Sequence, residues 1–165
     1  TVGQFTIGNL LVLDTYGPHQ RLVFGRKSLN ERLDQPPESW DEKADIRMIH
    51  SVFPNLSISG VVGDHCLVSL LLPGPTPDTT LTRQNILSAR APATEEERKV
   101  TETFSSVVRQ AVVEEDYKIG TTIEAGLTEG RTDHFLFGRN EPAVQHFHQQ
   151  VARFANTPPP RPVEG

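Results

Sequence analysis

One cysteine, Cys66, stands in the 165 residues. A lone thiol can make neither an internal disulfide nor a cysteine knuckle for zinc, and in HCLVSLLL it reads as a small buried hydrophobe with no nucleophile motif around it. No apolar run approaches the roughly eighteen residues of a membrane span, and no charged-apolar-small leader opens the chain. There is no basic run, and the formal net charge is -5, which argues against nucleic acid or anionic lipid as a partner. A Gly-rich phosphate loop, a nucleophile elbow and a cysteine cluster are all missing, so nucleotide-binding and iron-sulfur readings fall away for this chain. No internal repeat is visible. With 36% hydrophobic and 22% charged residues, the composition suits a single globular domain in a reducing, cytoplasmic setting.

The stretch that organises the rest is ATEEERKVTETFSSVVRQAVVEEDYKIGTTIEAGL, which predicts one helix over 94–127. Thr94 is a suitable N-cap, Glu97 completes a capping box, and Glu95 and Glu96 fall in the first turn, where the macrodipole favours anions. Val100, Phe104, Val107, Val108, Ala111, Val112 and Glu115 recur at steps of three and four, and Ile119, Ile123 and Leu127 resume the stripe. Glu114, Glu115 and Asp116 therefore lie mid-helix, on or beside an apolar seam. One reading is a solvated acidic edge, or an ion pair with Lys118, Arg109 or another element. The other is a metal ligand or catalytic carboxylate carried on a rigid helix.

Ahead of that helix the periodicity is that of strands. Residues 5–14 and 21–25 form a hairpin around Tyr16-Gly17-Pro18. A polar connection follows, with a short helix at 28–33, a break at Pro36-Pro37 and the only tryptophan, Trp40. Residues 46–59 alternate about Phe53-Pro54-Asn55, where proline marks a bulge, an edge or a break between two strands. After a turn at 60–64 comes HCLVSLLLP, and 79–89 alternates with mixed polarity on both faces, as in a sheet lining a cavity. Residues 128–138 read as a loop. Asn140 is the expected cap of a last helix with Pro142 in its first turn and Val144, Phe147, Val151 and Phe154 on its apolar face. Strands followed by helices indicate α+β, a domain over 1–156 with an antiparallel sheet curled round a long helix, and a disordered proline-rich tail over 157–165.

Histidines are the natural place to seek metal chemistry. His146 and His148 point about 200° apart on a helix and cannot easily share a metal, so one packed and one wet is the expected state. His19 belongs to a strand end. His50 and His65 lie on different strands, where either could reach a cavity, and His134 has no partner near it in sequence.

Phe53-Pro54-Asn55-Leu56, a strand ending in Leu71-Leu72-Pro73, VVEEDYKIGTTIEAGL over 112–127, and Asn140-Glu141 followed by Val144-Gln145-His146-Phe147-His148 occur in order. This succession resembles the C-terminal part of the catalytic domain of Rieske non-heme iron, aromatic-ring-hydroxylating oxygenase large subunits, over roughly 14–154. The resemblance implies a helix-grip fold and a mononuclear ferrous iron held by two histidines and one aspartate. Carried over, Asp116 is the ligand and Glu115 its acidic neighbour; Glu124 stands where the family often has glutamine. The family's Asp-x-x-His-x(4)-His motif, which supplies the two histidines, and its paired Cys-x-His and Cys-x-x-His motifs for a [2Fe-2S] Rieske cluster do not occur here. The expectation is thus an N-terminally truncated domain, inactive alone, of an oxygenase whose other iron ligands and Rieske cluster lie upstream.

What the resemblance implies for activity is hydroxylation of an apolar, aromatic substrate with dioxygen, electrons arriving from a ferredoxin or reductase, in a homo- or hetero-oligomer. Val108, Val112 and Val113, on the turns before Asp116, are the candidate substrate wall, with Leu56 and Ile58 from the strand after Phe53-Pro54-Asn55. The alternatives are a metal-free helix-grip module that binds an apolar ligand, and a structural role with Asp116 in an ion pair.

Overall fold

The structure is a computed structural model that describes residues 6–62, 65–130 and 136–156. Six strands follow one another as a meander and pair with their sequence neighbours, β1 to β6 in spatial order. They are β1 (Thr6–Tyr16), β2 (His19–Arg26), β3 (Ile46–Val52), β4 (Leu56–Val62), β5 (His65–Pro73) and β6 (Thr80–Ser88), all antiparallel. The hairpin at Gly17, the break at Phe53-Pro54-Asn55 and the strand HCLVSLLLP fall where turn chemistry and periodicity put them. Gly17 takes a φ of 61°, the left-handed conformation that glycine adopts without a Cβ penalty.

Two local expectations need correction. The short helix expected at 28–33 is a 3₁₀ turn over Lys27–Glu31, followed by another at Pro37–Ser39 and by one α-turn, α1 (Glu42–Asp45). This connection is packed rather than merely superficial. Leu29 and Asp45 are fully buried, Asp45 accepts the Asp41 backbone N–H at 3.0 Å and faces Arg32 Nε at 3.4 Å, and Trp40 Nε1 donates to the Arg32 carbonyl at 3.1 Å. The last helix, α4 (Pro142–Ala155), has Glu141 and not Asn140 at its N-cap position, with no side-chain capping hydrogen bond. Proline at the first helical position bars the residue before it from helical geometry, so the boundary falls at Glu141, whose carboxylate accepts the Gly138 N–H at 2.6 Å.

The long helix runs from Glu95 to Thr128 as α2 (Glu95–Ala111), a π-helical segment (Val112–Tyr117) and α3 (Lys118–Thr128). At 1.5 Å per residue it spans about 50 Å, whereas a nine-residue strand such as β5 spans about 30 Å. The helix is too long for the sheet beneath it. Its first half meets β5, where His65 donates to or accepts from Thr101 Oγ1 at 2.8 Å and lies 5.6 Å from the Phe104 ring. Thr101, Phe104, Val108, Ala111 and Val112 are half-buried, while Ile119 and Ile123, which continue the expected stripe, are exposed. Val100 and Val107, also placed on the stripe, are exposed because they flank the contact line set by Thr101 and Phe104.

Candidate functional site

Register decides which side chains share a sheet face. Alternation sends His65, Leu67, Ser69 and Leu71 of β5 to the face that α2 covers. Their cross-strand partners Ser57 and Ser59 on β4, Ile49 and Ser51 on β3, and Gln20 and Leu22 on β2 lie on that same face. The opposite face carries Val68 and Leu70 of β5, with Leu56, Ile58, His50 and Arg21 in line with them. Of the expected substrate contacts, Val108 and Val112 are therefore half-buried on the helix, whereas Ile58 is on the far side of the sheet. Val113 is half exposed.

The helix start is specified by hydrogen bonds. Thr94 Oγ1 accepts the Glu97 N–H at 3.2 Å, and Glu97 reaches back to the Ala93 N–H at 2.7 Å and pairs with Arg90. The box is thus closed one residue earlier than its usual form. Those interactions, the Ala93 N–H first and Arg90 next, hold the Glu97 carboxyl below the ordinary glutamate range.

At the acidic cluster the helix widens. In a π turn each N–H reaches five residues back instead of four, so one extra residue is accommodated without breaking the rod. Sequence periodicity at 3.6 puts Glu115 beneath Ala111; with the extra residue, Asp116 takes that phase. Nothing in the residue pattern announces a π turn except the polar residue where an apolar one was due. The Asp116 carboxylate is exposed, since this part of the helix has run past the sheet. Gln110 donates to Glu114 at 3.2 Å along the outer side.

A mostly apolar cavity of about 360 Å³ opens on the helix-bearing face, between the β2–β4 end of the sheet and the start of α4. Leu22, Phe53, Leu71, Val144 and Phe147 contribute apolar wall, and Leu56, on the opposite face by register, borders the cavity at the start of β4. Phe53 anchors α4 there, its ring 5.8 Å from Phe147 and 5.1 Å from Phe154. Gln20 also lines the cavity, is 8% exposed, and its Oε1 has no hydrogen-bond partner. Leu56 is the one expected substrate contact found here. Gln20 was missed because a glutamine near a strand start carries no signal of burial.

The histidines do not converge. His19 Nδ1 accepts the Phe53 N–H at 3.1 Å, His50 is on the opposite sheet face, and His65 is held by Thr101. His146 is half-buried and His148 exposed, stacked 4.6 Å from Phe137, which is the packed and wet pair that their spacing requires. His134 and the tail over 157–165 lie outside the described residues. Among the described residues no three histidine, cysteine, aspartate or glutamate side chains come together to hold a metal. A facial triad therefore does not fit on these residues alone; they can offer one carboxylate to it.

A family model described as ring hydroxylating alpha subunit (catalytic domain) matches residues 3–157. No curated protein and no solved structure matches the chain.

Proposed function

Since this chain belongs to the family of ring-hydroxylating alpha subunit catalytic domains, we propose that it is the C-terminal part of an oxygenase catalytic domain that hydroxylates an apolar, aromatic substrate. Asp116 is its contribution to a mononuclear ferrous iron, whose two histidine ligands come from polypeptide other than the described residues. Such an iron, when bound, would supply dioxygen activation, with electrons from a Rieske [2Fe-2S] cluster and a ferredoxin or reductase behind it. The observation that carries the reading is the match over nearly the whole chain.

The wider turn at 112–117 supports Asp116 over Glu115, because it brings Asp116 into the phase of Ala111 on the half-buried side of the helix. This chain's own part in the reaction is to fix one carboxylate on a rigid helix and to offer dry surface to the substrate. Val108 and Val112 supply that surface from the helix, with Val113 at its margin and Leu56 at the cavity; Ile58 would have to act from the opposite face. The cavity's apolar lining favours a ring over a charged or heavily hydroxylated molecule.

The test uses the assembled oxygenase, supplied with ferrous iron and reductant under labelled dioxygen and offered a panel of apolar single- and fused-ring compounds. Hydroxylated ring product carrying the label is expected, and Leu22→Asp, which puts a charge into the cavity wall, should lower turnover while leaving iron content unchanged. Labelled product absent across the panel from an iron-loaded protein would count against the oxygenase reading. Unchanged turnover in Leu22→Asp would remove the cavity from the substrate path.

A further inference from the structure

The apolar cavity has a polar floor. Gln20 on β2 stands directly opposite Ser51 on β3, and Ser51 directly opposite Ser57 on β4, so the three form one row across the helix-bearing face. All three line the cavity. The row continues beyond it to Ser69 on β5 and Gln84 on β6, where Gln84 Nε2 donates to Ser69 Oγ at 3.4 Å. That outer pair satisfies itself, and the part under the cavity does not. Gln20 is 8% exposed with its Oε1 unpartnered, and neither Ser51 nor Ser57 gives its hydroxyl a hydrogen-bond partner among the described residues. Apolar side chains flank the row on both sides, Leu22 two residues on from Gln20 and Phe53 two residues on from Ser51.

A dry amide oxygen with nothing donating to it costs free energy, which a donor arriving with a ligand would recover. We propose that this floor makes the cavity selective for an apolar ring that carries one hydrogen-bond donor, a hydroxyl or amino substituent, accepted by Gln20 Oε1 while Phe53, Val144 and Phe147 cover the ring. The inference rests on the reading of this cavity as the substrate site and adds the substituent to it. Directly opposed side chains lie about 5 Å apart, so the three polar groups are neighbours. Each serine hydroxyl can donate as well as accept and turns to whichever the substituent leaves open. A bare hydrocarbon leaves the amide unpaired. A methoxy ring, an acceptor only, sets lone pairs against the amide oxygen. A site built to hydrogen-bond a substituent rejects the analogue lacking it more strongly than apolar contact discriminates by size.

Calorimetric titration of the assembled, iron-loaded oxygenase with phenol, aniline, anisole and toluene, without reductant so that nothing turns over, reads this directly. Phenol and aniline should bind about tenfold or more tighter than anisole and toluene. Gln20→Leu removes the amide and keeps an apolar side chain, and should bring phenol and toluene to similar affinities. Ser51→Ala with Ser57→Ala, a milder change to the fold, should narrow the gap in part. A glutamine with a merely structural role would shift Tm on replacement and leave the phenol-to-toluene ratio where it was. Equal affinities across the four rings, a preference for anisole over phenol, or an unchanged ratio in whichever of these variants fold would each overturn this inference and leave the oxygenase reading standing. No binding by any of the four to iron-loaded protein, as when the domain's own polypeptide fills the cavity, would overturn it together with the cavity's place in the substrate path.

Discussion

Glu97 joins three things at the mouth of the long helix: the Ala93 N–H, the Arg90 guanidinium and, through its own N–H, the Thr94 hydroxyl. All three involve the ionised carboxylate or the turn it stabilises. Because its folded-state pKa is lowered, its contribution is present above the ordinary glutamate range, near 4.3, and is lost as pH falls through the lowered value. Glu97→Gln keeps an acceptor for Ala93 but loses the charge that Arg90 and the helix dipole favour. The variant should be slightly less stable at neutral pH and should show a shallower loss of stability as pH falls below about 5, where ordinary carboxylates begin to protonate. Acid titration followed by far-UV circular dichroism checks it; identical acid limbs would mean that Glu97 is not a stabilising carboxylate. This residue was legible in sequence, since a Thr followed three positions later by Glu carries its own mechanism. Asn140 was misread because the restriction that Pro142 imposes on its predecessor outweighs the capping preference of asparagine.

At the scale of elements, period two and turn residues located all six strands, because antiparallel pairing between sequence neighbours leaves its signature in each short run. The long helix was equally visible. Its interruption was not: an inserted residue in a π turn changes the phase of everything after it while leaving composition and length untouched. The exposed face of α3 was also illegible, because periodicity reports that a stripe exists and not whether a sheet reaches it. Deleting Glu114 should return the segment to α-helical bonding and still leave Asp116 one turn beyond Ala111. We expect the variant to keep its helical signal and to have an unchanged or higher Tm. A large loss of helix on removing that residue would show that the π segment is not an accommodated insertion.

For the whole molecule the surface is the telling quantity. A folded monomer of 18.3 kDa is expected to expose about 8,100 Å², and this chain exposes 12569 Å², with Leu29 and Leu67 its only buried hydrophobic residues among those described. Large hydrophobic side chains on the helices and the sheet, Val100, Val107, Ile119, Leu81 and Leu87 among them, are exposed, and Asp116 lies on the exposed part of the long helix. The fold, the family and the helix carrying the carboxylate could be read from residues alone; where the carboxylate points in the assembled protein depends on surfaces that no local pattern encodes. The most direct measurement is iron content and ring hydroxylation of the assembled oxygenase carrying Asp116→Ala or Glu115→Ala, expressed identically. Removing the only anionic donor leaves two neutral imidazoles to hold a dication, so Asp116→Ala should lose iron and turnover by more than the roughly ten- to hundred-fold typical of groups that merely support a ligand, while Glu115→Ala stays within that range. Iron lost from Glu115→Ala and kept in Asp116→Ala, or full iron and turnover in both, would contradict the account.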